Sequence, residues 1–281
     1  MESKAKRKVD RTHKLQTGTG ERHLSDEERH FFDVRGYLVM KNFLKPDQIN
    51  EAREALQNTI ENPLASITIN KKDSGLELLN IVENGGIIEE AITFTRLLHA
   101  MEEIIWGSQV RLVASRGLIR EAGSIEALTQ GGKADPRRYT RYRCFVEGEF
   151  RCLMTTCLVA LNNCVHGNGT FCMIPASHKS NFSHPYSNVS LEAVPVLIDI
   201  ALNAGDAIIF SENLSHAMKS PINETHNWLS YQYGPSYMLS WPGCEASKEL
   251  RTRTADSDVK TRLLKTPYYH PWDHYYKDIV D

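Results

Sequence analysis

The chain has 281 residues, 41% of them apolar and 24% charged, with a formal net charge of −2. That is enough chain to bury a sizeable core in one large domain, and the near-neutral balance excludes a basic field for nucleic acid. No window approaches the length of a membrane span.

The first residues, "MESKAKRKVDRTHK", lack the apolar run of a secretion signal. Residues 1–24 are polar, basic at the start and without periodicity, so a disordered basic tail is expected there, followed by a single domain over 25–281. The six cysteines form no CxxC pair and sit in apolar runs. Buried free thiols in a cytoplasmic protein are the expectation.

Ser25 with Glu28 makes a capping box, and Phe31 and Phe32 follow it, which predicts a helix that Gly36 stops. "YLVMKNF" (Tyr37–Phe43) reads as a strand. Pro46 suits a first helical turn. Ile49, Ala52, Leu56 and Ile60 recur at helical spacing, so the pattern predicts a helix over 46–61. A short "SITIN" strand comes next. From Ile87 to Trp106 apolar residues again recur at helical spacing, and Gly107 marks the stop.

After this the texture changes. "QVRLVASRGLIR", "RYRCFVEGEF", "RCLMTTCLVAL", "TFCMIPA", "VPVLIDI", "DAIIFS" and "NWLSYQYGPSYM" are short, β-branched or apolar, and divided by turn residues. Seven or eight short strands with no long helix between them predict an all-β sandwich or barrel. The C-terminal "TPYYHPWDHYYKDIVD" is rich in aromatic residues and reads as packing on the body. There, His270, Asp273 and His274 read as surface polarity rather than a metal site.

Five motifs occur in order. Phe32–Val39 reads Phe-x-x-x-Gly-Tyr-Leu-Val, and Phe43–Pro46 reads Phe-Leu-x-Pro. Asn168–Lys179 ends in Ile-Pro-x-Ser-His-Lys. Gly205–His216 opens with Gly-Asp and closes on a histidine, and Tyr231–Pro235 reads Tyr-x-Tyr-x-Pro. This series resembles the phytanoyl-CoA dioxygenase family of non-haem iron(II), 2-oxoglutarate-dependent oxygenases. The resemblance covers about residues 25–240. It implies a double-stranded β-helix, a jelly roll with flanking helices, and a metal held by two histidines and a carboxylate. It also implies a small organic substrate, hydroxylated or otherwise oxidised, and a late arginine that grips the far carboxylate of 2-oxoglutarate. By the same resemblance His216 is the metal-ligating histidine, His178 is a structural residue of its turn, and Asp206 holds the Gly205 turn.

The sequence departs from that pattern at two places. The family's early His-x-Asp pair has no counterpart in "LTQGGKADPRRYTRYRCF". Alignment by place puts Gln130 where a histidine belongs, or else falls on Thr140–Tyr142; Asp135 is the carboxylate nearby. The anchor arginine is also missing, with His226 and Asn227 at its position and Arg143 or Arg151 as substitutes from other strands. Glu212 lies four residues before His216. It reads as the missing carboxylate, as a residue orienting His216, or as a solvated strand end. Two functions stay open. One is an oxygenase with iron(II) at His216, Gln130 and Glu212 and 2-oxoglutarate near His226, Asn227 and Arg143. The other is a barrel without a redox metal, serving as a non-oxidative isomerase or a small-molecule-binding protein, with His216, Glu212, Tyr142 and His226 as its polar groups.

Overall fold

The computed structural model describes residues 23–105, 110–123, 127–130, 142–144, 150–180, 182, 184–186 and 189–267. The aromatic C-terminal stretch, with His270, Asp273 and His274, lies outside the described residues, as do Asp135 and Trp106. Helix α1 spans Asp26–Arg35 and starts at the capping box, with the Ser25 side chain accepting from the Glu28 N–H and the Glu28 carboxylate from the Ser25 N–H. His23 and Leu24, placed in the tail by composition, already belong to the fold. Leu24 is buried, both N–H groups donate to Glu103 Oε2, and the His23 ring stacks on His99. Gly36 ends α1 at φ 85°, a left-handed conformation that glycine adopts without strain.

Strand β1 (Tyr37–Met40) leads to α2 (Pro46–Glu61), whose bounds are those expected from sequence. The hairpin β2 (Thr68–Lys72) and β3 (Gly75–Leu79) comes next, then α3 (Gly86–Glu90) and α4 (Thr95–Ile104), separated by a 3₁₀ turn over Ala91–Thr93. The remaining strands are β4 (Val110–Arg120), β5 (Thr129–Gln130), β6 (Tyr142–Cys144), β7 (Phe150–Cys152), β8 (Thr155–Ala160), β9 (Phe171–Met173), β10 (Ile198–Ile200), β11 (Ala207–Ser211), β12 (Ser215–Met218) and β13 (His226–Pro235). Helices α5 (Lys248–Arg253) and α6 (Asp258–Leu264), not foreseen from sequence, close the described chain. Their short amphipathic turns give too few periods to stand out.

The strands form a seven-stranded antiparallel sheet in the order β1-β11-β8-β13-β4-β3-β2 and a four-stranded sheet in the order β10-β9-β12-β5. The two sheets face each other as a jelly roll flanked by helices. Side chains alternate across each strand, which sorts the large sheet into two faces. Cys157, Val159, Ile209, Leu229, Tyr231 and Tyr233 turn outward to the helices in one core. There the Tyr231 hydroxyl donates to the Ile88 carbonyl and that of Tyr233 to the Ile92 carbonyl, each at 3.0 Å. Leu158, Ile208, Phe210 and Trp228 turn inward and meet Phe171, Met173 and Met218 of the small sheet. Glu89 ties the C-terminal helices on, accepting from Lys260 at 2.6 Å and Arg253 at 2.8 Å.

Cys152, Cys157, Cys164, Cys172 and Cys244 are buried free thiols. Burial raises the Cys152 thiol to about 11 and the Cys164 thiol to about 12, so they stay protonated and inert.

Candidate functional site

The two histidines of the sequence motifs occupy different environments. His178 sits in a 3₁₀ turn over Ser177–Lys179 and is buried. Its Nε2–H donates to the Asp33 carbonyl at 3.0 Å, and its backbone carbonyl accepts from Asn213 Nδ2. Its ring lies so close to Gly36 that a Cβ there would come within 2.5 Å of Nδ1. His178 therefore fastens the turn to the end of α1. Burial pushes its pKa down to about 4, so it is neutral at physiological pH. Asp206 is likewise structural: it accepts from Lys41 Nζ and the N–H groups of Asn42 and Asn203. Burial opposes its charge, but these donors hold its carboxyl below the usual range.

His216 lies on the inward face of β12, half-buried, with its ring against Phe171 and Phe210. Its Nδ1 is 2.7 Å from the Leu214 carbonyl. A carbonyl can only accept, so Nδ1 carries the proton and Nε2 keeps its lone pair. This is the tautomer and the backbone anchor that a metal-ligating histidine uses. The strand register puts Thr129 of β5 directly opposite His216, and Gln130 opposite Ser215. Residues 131–141, which follow β5, lie outside the described residues.

Glu212 reaches the same interior by a different route from the one expected. The chain between Glu212 and His216 is not one unbroken strand: β11 ends at Ser211 in the large sheet and β12 begins at Ser215 in the small one. A turn, in which the Leu214 N–H donates to the Ser211 carbonyl, carries the chain across. The Glu212 carboxylate sits on the inner wall of the large sheet, where Oε1 accepts from the Thr156 hydroxyl and, at 2.8 Å, from Gln232 Nε2. Oε2 makes no hydrogen bond among the described residues. The wall continues through Arg116, which donates to Gln232 Oε1 and pairs with Glu77 at 3.3 Å. The carboxylate is therefore held through Oε1 against the large sheet.

At the far end of the barrel, His226 is fully buried, with Nδ1 3.6 Å from Cys164 Sγ and Nε2 3.2 Å from Glu224 Oε1. Gly169, at φ 62°, backs directly onto this ring, where no Cβ would fit. Asn227 follows on the outward face, and its N–H donates to Asn162 Oδ1. Arg143 pairs in register with Arg151 in the separate two-stranded β6–β7 ribbon. Sequence reasoning missed Arg120. It ends β4 directly opposite His226, and its guanidinium reaches across to Met218 Sδ, 3.9 Å away on β12. Its only sequence signal is an even spacing from Arg116 and Leu118, which puts all three on one face. Among the described residues, no three His, Cys, Asp or Glu side chains meet as a metal cluster.

The profile of the phytanoyl-CoA dioxygenase (PhyH) family matches residues 32–225. This chain belongs to the phytanoyl-CoA dioxygenase family. HygX from Streptomyces hygroscopicus, crystallised with nickel and 2-oxoglutarate, superposes with a TM-score of 0.67 at 22% identity, over 81% of this chain and 94% of HygX. It has also been crystallised with iron, and with hygromycin B. The non-heme alpha ketoglutarate dependent carbocyclase SnoK from nogalamycin biosynthesis gives 0.56 at 13% identity, over 76% of this chain and 85% of SnoK. The epimerase SnoN of the same biosynthesis gives 0.52 at 14%, over 74% and 81%. At these identities the likeness establishes the fold alone. No curated protein matches the sequence. No helix among the described residues is long and apolar enough to cross a membrane.

Proposed function

We propose that this protein is an iron(II)- and 2-oxoglutarate-dependent oxygenase acting on a small organic substrate inside the jelly roll. The observation that carries the reading is the tautomer of His216: a half-buried imidazole on the inward face of β12, whose Nδ1–H donates to the Leu214 carbonyl and leaves the lone pair on Nε2. Glu212 supports it as a carboxylate fixed through Oε1 by Thr156 and Gln232, with no hydrogen bond to Oε2 among the described residues. In this reading His216, Glu212 and Gln130, at the end of β5, would hold iron(II), and the metal with 2-oxoglutarate would supply the oxidising chemistry.

The chain's own part is positional. Leu214 keeps the His216 proton on Nδ1. Thr156 and Gln232 stop the Glu212 carboxylate from rotating, which makes its coordination geometry repeatable. Phe171, Phe210 and Trp228 wall the deep side with apolar surface and exclude water from it. An amide oxygen at Gln130 is a weaker donor than imidazole, so iron(II) affinity is below that of a two-histidine site. HygX has been crystallised with hygromycin B and SnoN with nogalamycin RO, which supports a small organic molecule as the substrate here.

A second reading has one observation in its favour. Among the described residues no three His, Cys, Asp or Glu side chains gather as a metal site, which leaves Glu212 and His216 as acid–base groups for a non-oxidative isomerisation. The two readings part under one test. His216→Ala in protein reconstituted with iron(II) abolishes both metal retention and substrate-independent 2-oxoglutarate consumption if the first holds. Wild-type protein that retains no iron(II) under the same conditions leaves the second.

A further inference from the structure

We propose that the aromatic C-terminal segment of this chain, residues 268–281, docks on the exposed strip formed by Tyr237, Leu239 and Trp241. The strip lies just after β13, where side chains alternate in exposure. Met238 is buried, whereas Tyr237, Leu239 and Trp241 are 40%, 61% and 39% exposed. Exposed apolar residues are ordinary when scattered singly. At alternating positions of one pinned segment they make a continuous apolar surface. Backbone hydrogen bonds do the pinning: the Met238 N–H donates to the Pro235 carbonyl at 2.9 Å and the Trp241 N–H to the Val113 carbonyl at 3.2 Å. Met238 itself is anchored in a cluster with Val113 and Met154.

The described chain ends beside this strip. Arg111, buried near the start of β4, binds both. Its guanidinium donates to the Met238 carbonyl at 2.6 Å and to Ser240 Oγ at 3.0 Å, and its Nε and Nη2 donate to the Lys265 carbonyl at 3.2 and 3.1 Å. Lys265 caps α6, and the described residues stop at Pro267. Tyr268, Tyr269, Trp272, Tyr275 and Tyr276 follow at once. Tyrosine and tryptophan join an apolar ring to a polar tip, which suits a half-wet surface. Pro267 and Pro271 disfavour a helix there, and the residues from 268 to 276 can reach about 30 Å when extended, enough to cross Tyr237–Trp241. So short a tether gives the segment an effective concentration that a second copy of the chain does not match. The docked segment borders the candidate site, because Met154, which packs with Met238, accepts from the Glu212 N–H at 3.1 Å.

The test is limited proteolysis of the full chain with chymotrypsin, which cuts after accessible aromatic residues. Loss of the C-terminal residues is timed by intact mass in wild type, Leu239→Glu, Trp241→Glu and Ile222→Glu. Ile222, in the loop before β13, is also 61% exposed, so its variant controls for the added charge. Wild type should lose the segment at least about tenfold more slowly than a free peptide of residues 266–281 is cut, since cleavage tracks the undocked population. Leu239→Glu and Trp241→Glu should approach the peptide rate, and Ile222→Glu should keep the wild-type rate. Cooperative thermal unfolding shows which variants are folded; if one of the two strip variants does not fold, the other decides the question. A wild-type segment cut as fast as the peptide overturns the proposal. A protected segment indifferent to both strip variants overturns it too, as does protection that fades on dilution, which would come from a second copy. None of these results bears on the oxygenase reading.

Discussion

Acidification from pH 7.5 to 5.0 should cost this protein about 2 kcal/mol of stability, and His178 should account for most of it. The ring is buried and neutral, with its pKa pushed down to about 4, against an ordinary value near 6.5. The folded value lies below the unfolded one, so the unfolded chain takes up the proton first as pH falls. The contribution is complete above about pH 6.5 and is lost progressively as pH falls toward 4. Each pH unit inside that window is worth about 1.4 kcal/mol, so a drop to pH 5.0 costs about 2 kcal/mol. The carboxylates held low, Asp206, Glu89 and Glu28, act in the more acidic range and do not confound the measurement. Urea unfolding followed by tryptophan fluorescence at pH 7.5, 6.5, 5.5 and 5.0 gives the slope. His178→Gln keeps an N–H for the Asp33 carbonyl but cannot titrate. It should start less stable and show a nearly flat profile, so the two proteins converge near pH 5. A variant that loses stability as steeply as wild type would refute the reasoning, because the proton would then be binding elsewhere.

Gly36→Ala should destabilise by about 2–4 kcal/mol in the same urea assay, since it adds left-handed strain and drives a methyl group into the His178 ring; a loss below 1 kcal/mol would show that the turn gives way easily. Removing residues 1–22 should leave the thermal midpoint within a degree, whereas removing 1–24 should lower it by several degrees, because Leu24 is buried and His23 stacks on His99; equal midpoints for both truncations would mean that these two residues contribute nothing. Glu212→Gln should reduce iron(II) affinity at least tenfold with little change in stability, since an amide oxygen can still accept from Thr156 and Gln232; unaltered affinity by calorimetry would remove Glu212 from the ligand set.

The barrel was legible because its signals are local. Short β-branched runs divided by Gly, Pro, Asn and Asp set the strands, and the stripe through Ile49, Ala52 and Leu56 set the bounds of α2. Motif order set His178 apart from His216, and the structure places the two in different environments, one against the Asp33 carbonyl and the other against the Leu214 carbonyl. The rest of the site was hidden for a different reason. Chain spacing suggested that Glu212 shares a face with His216 along one strand, yet a turn after β11 separates them, with His216 on the small sheet and the Glu212 carboxylate bonded to Thr156 and Gln232 of the large one. Residues brought together by strand pairing leave no periodic trace in a single chain.

The central claim is that His216 and its neighbours bind iron(II) and, through it, 2-oxoglutarate. The most direct measurement is anaerobic calorimetry on metal-free wild-type protein, titrated first with iron(II) and then with 2-oxoglutarate. The account predicts one iron per chain, held more weakly than by a two-histidine site, and 2-oxoglutarate binding that is tight with the metal and lost without it. Heats indistinguishable from dilution in both titrations would contradict it.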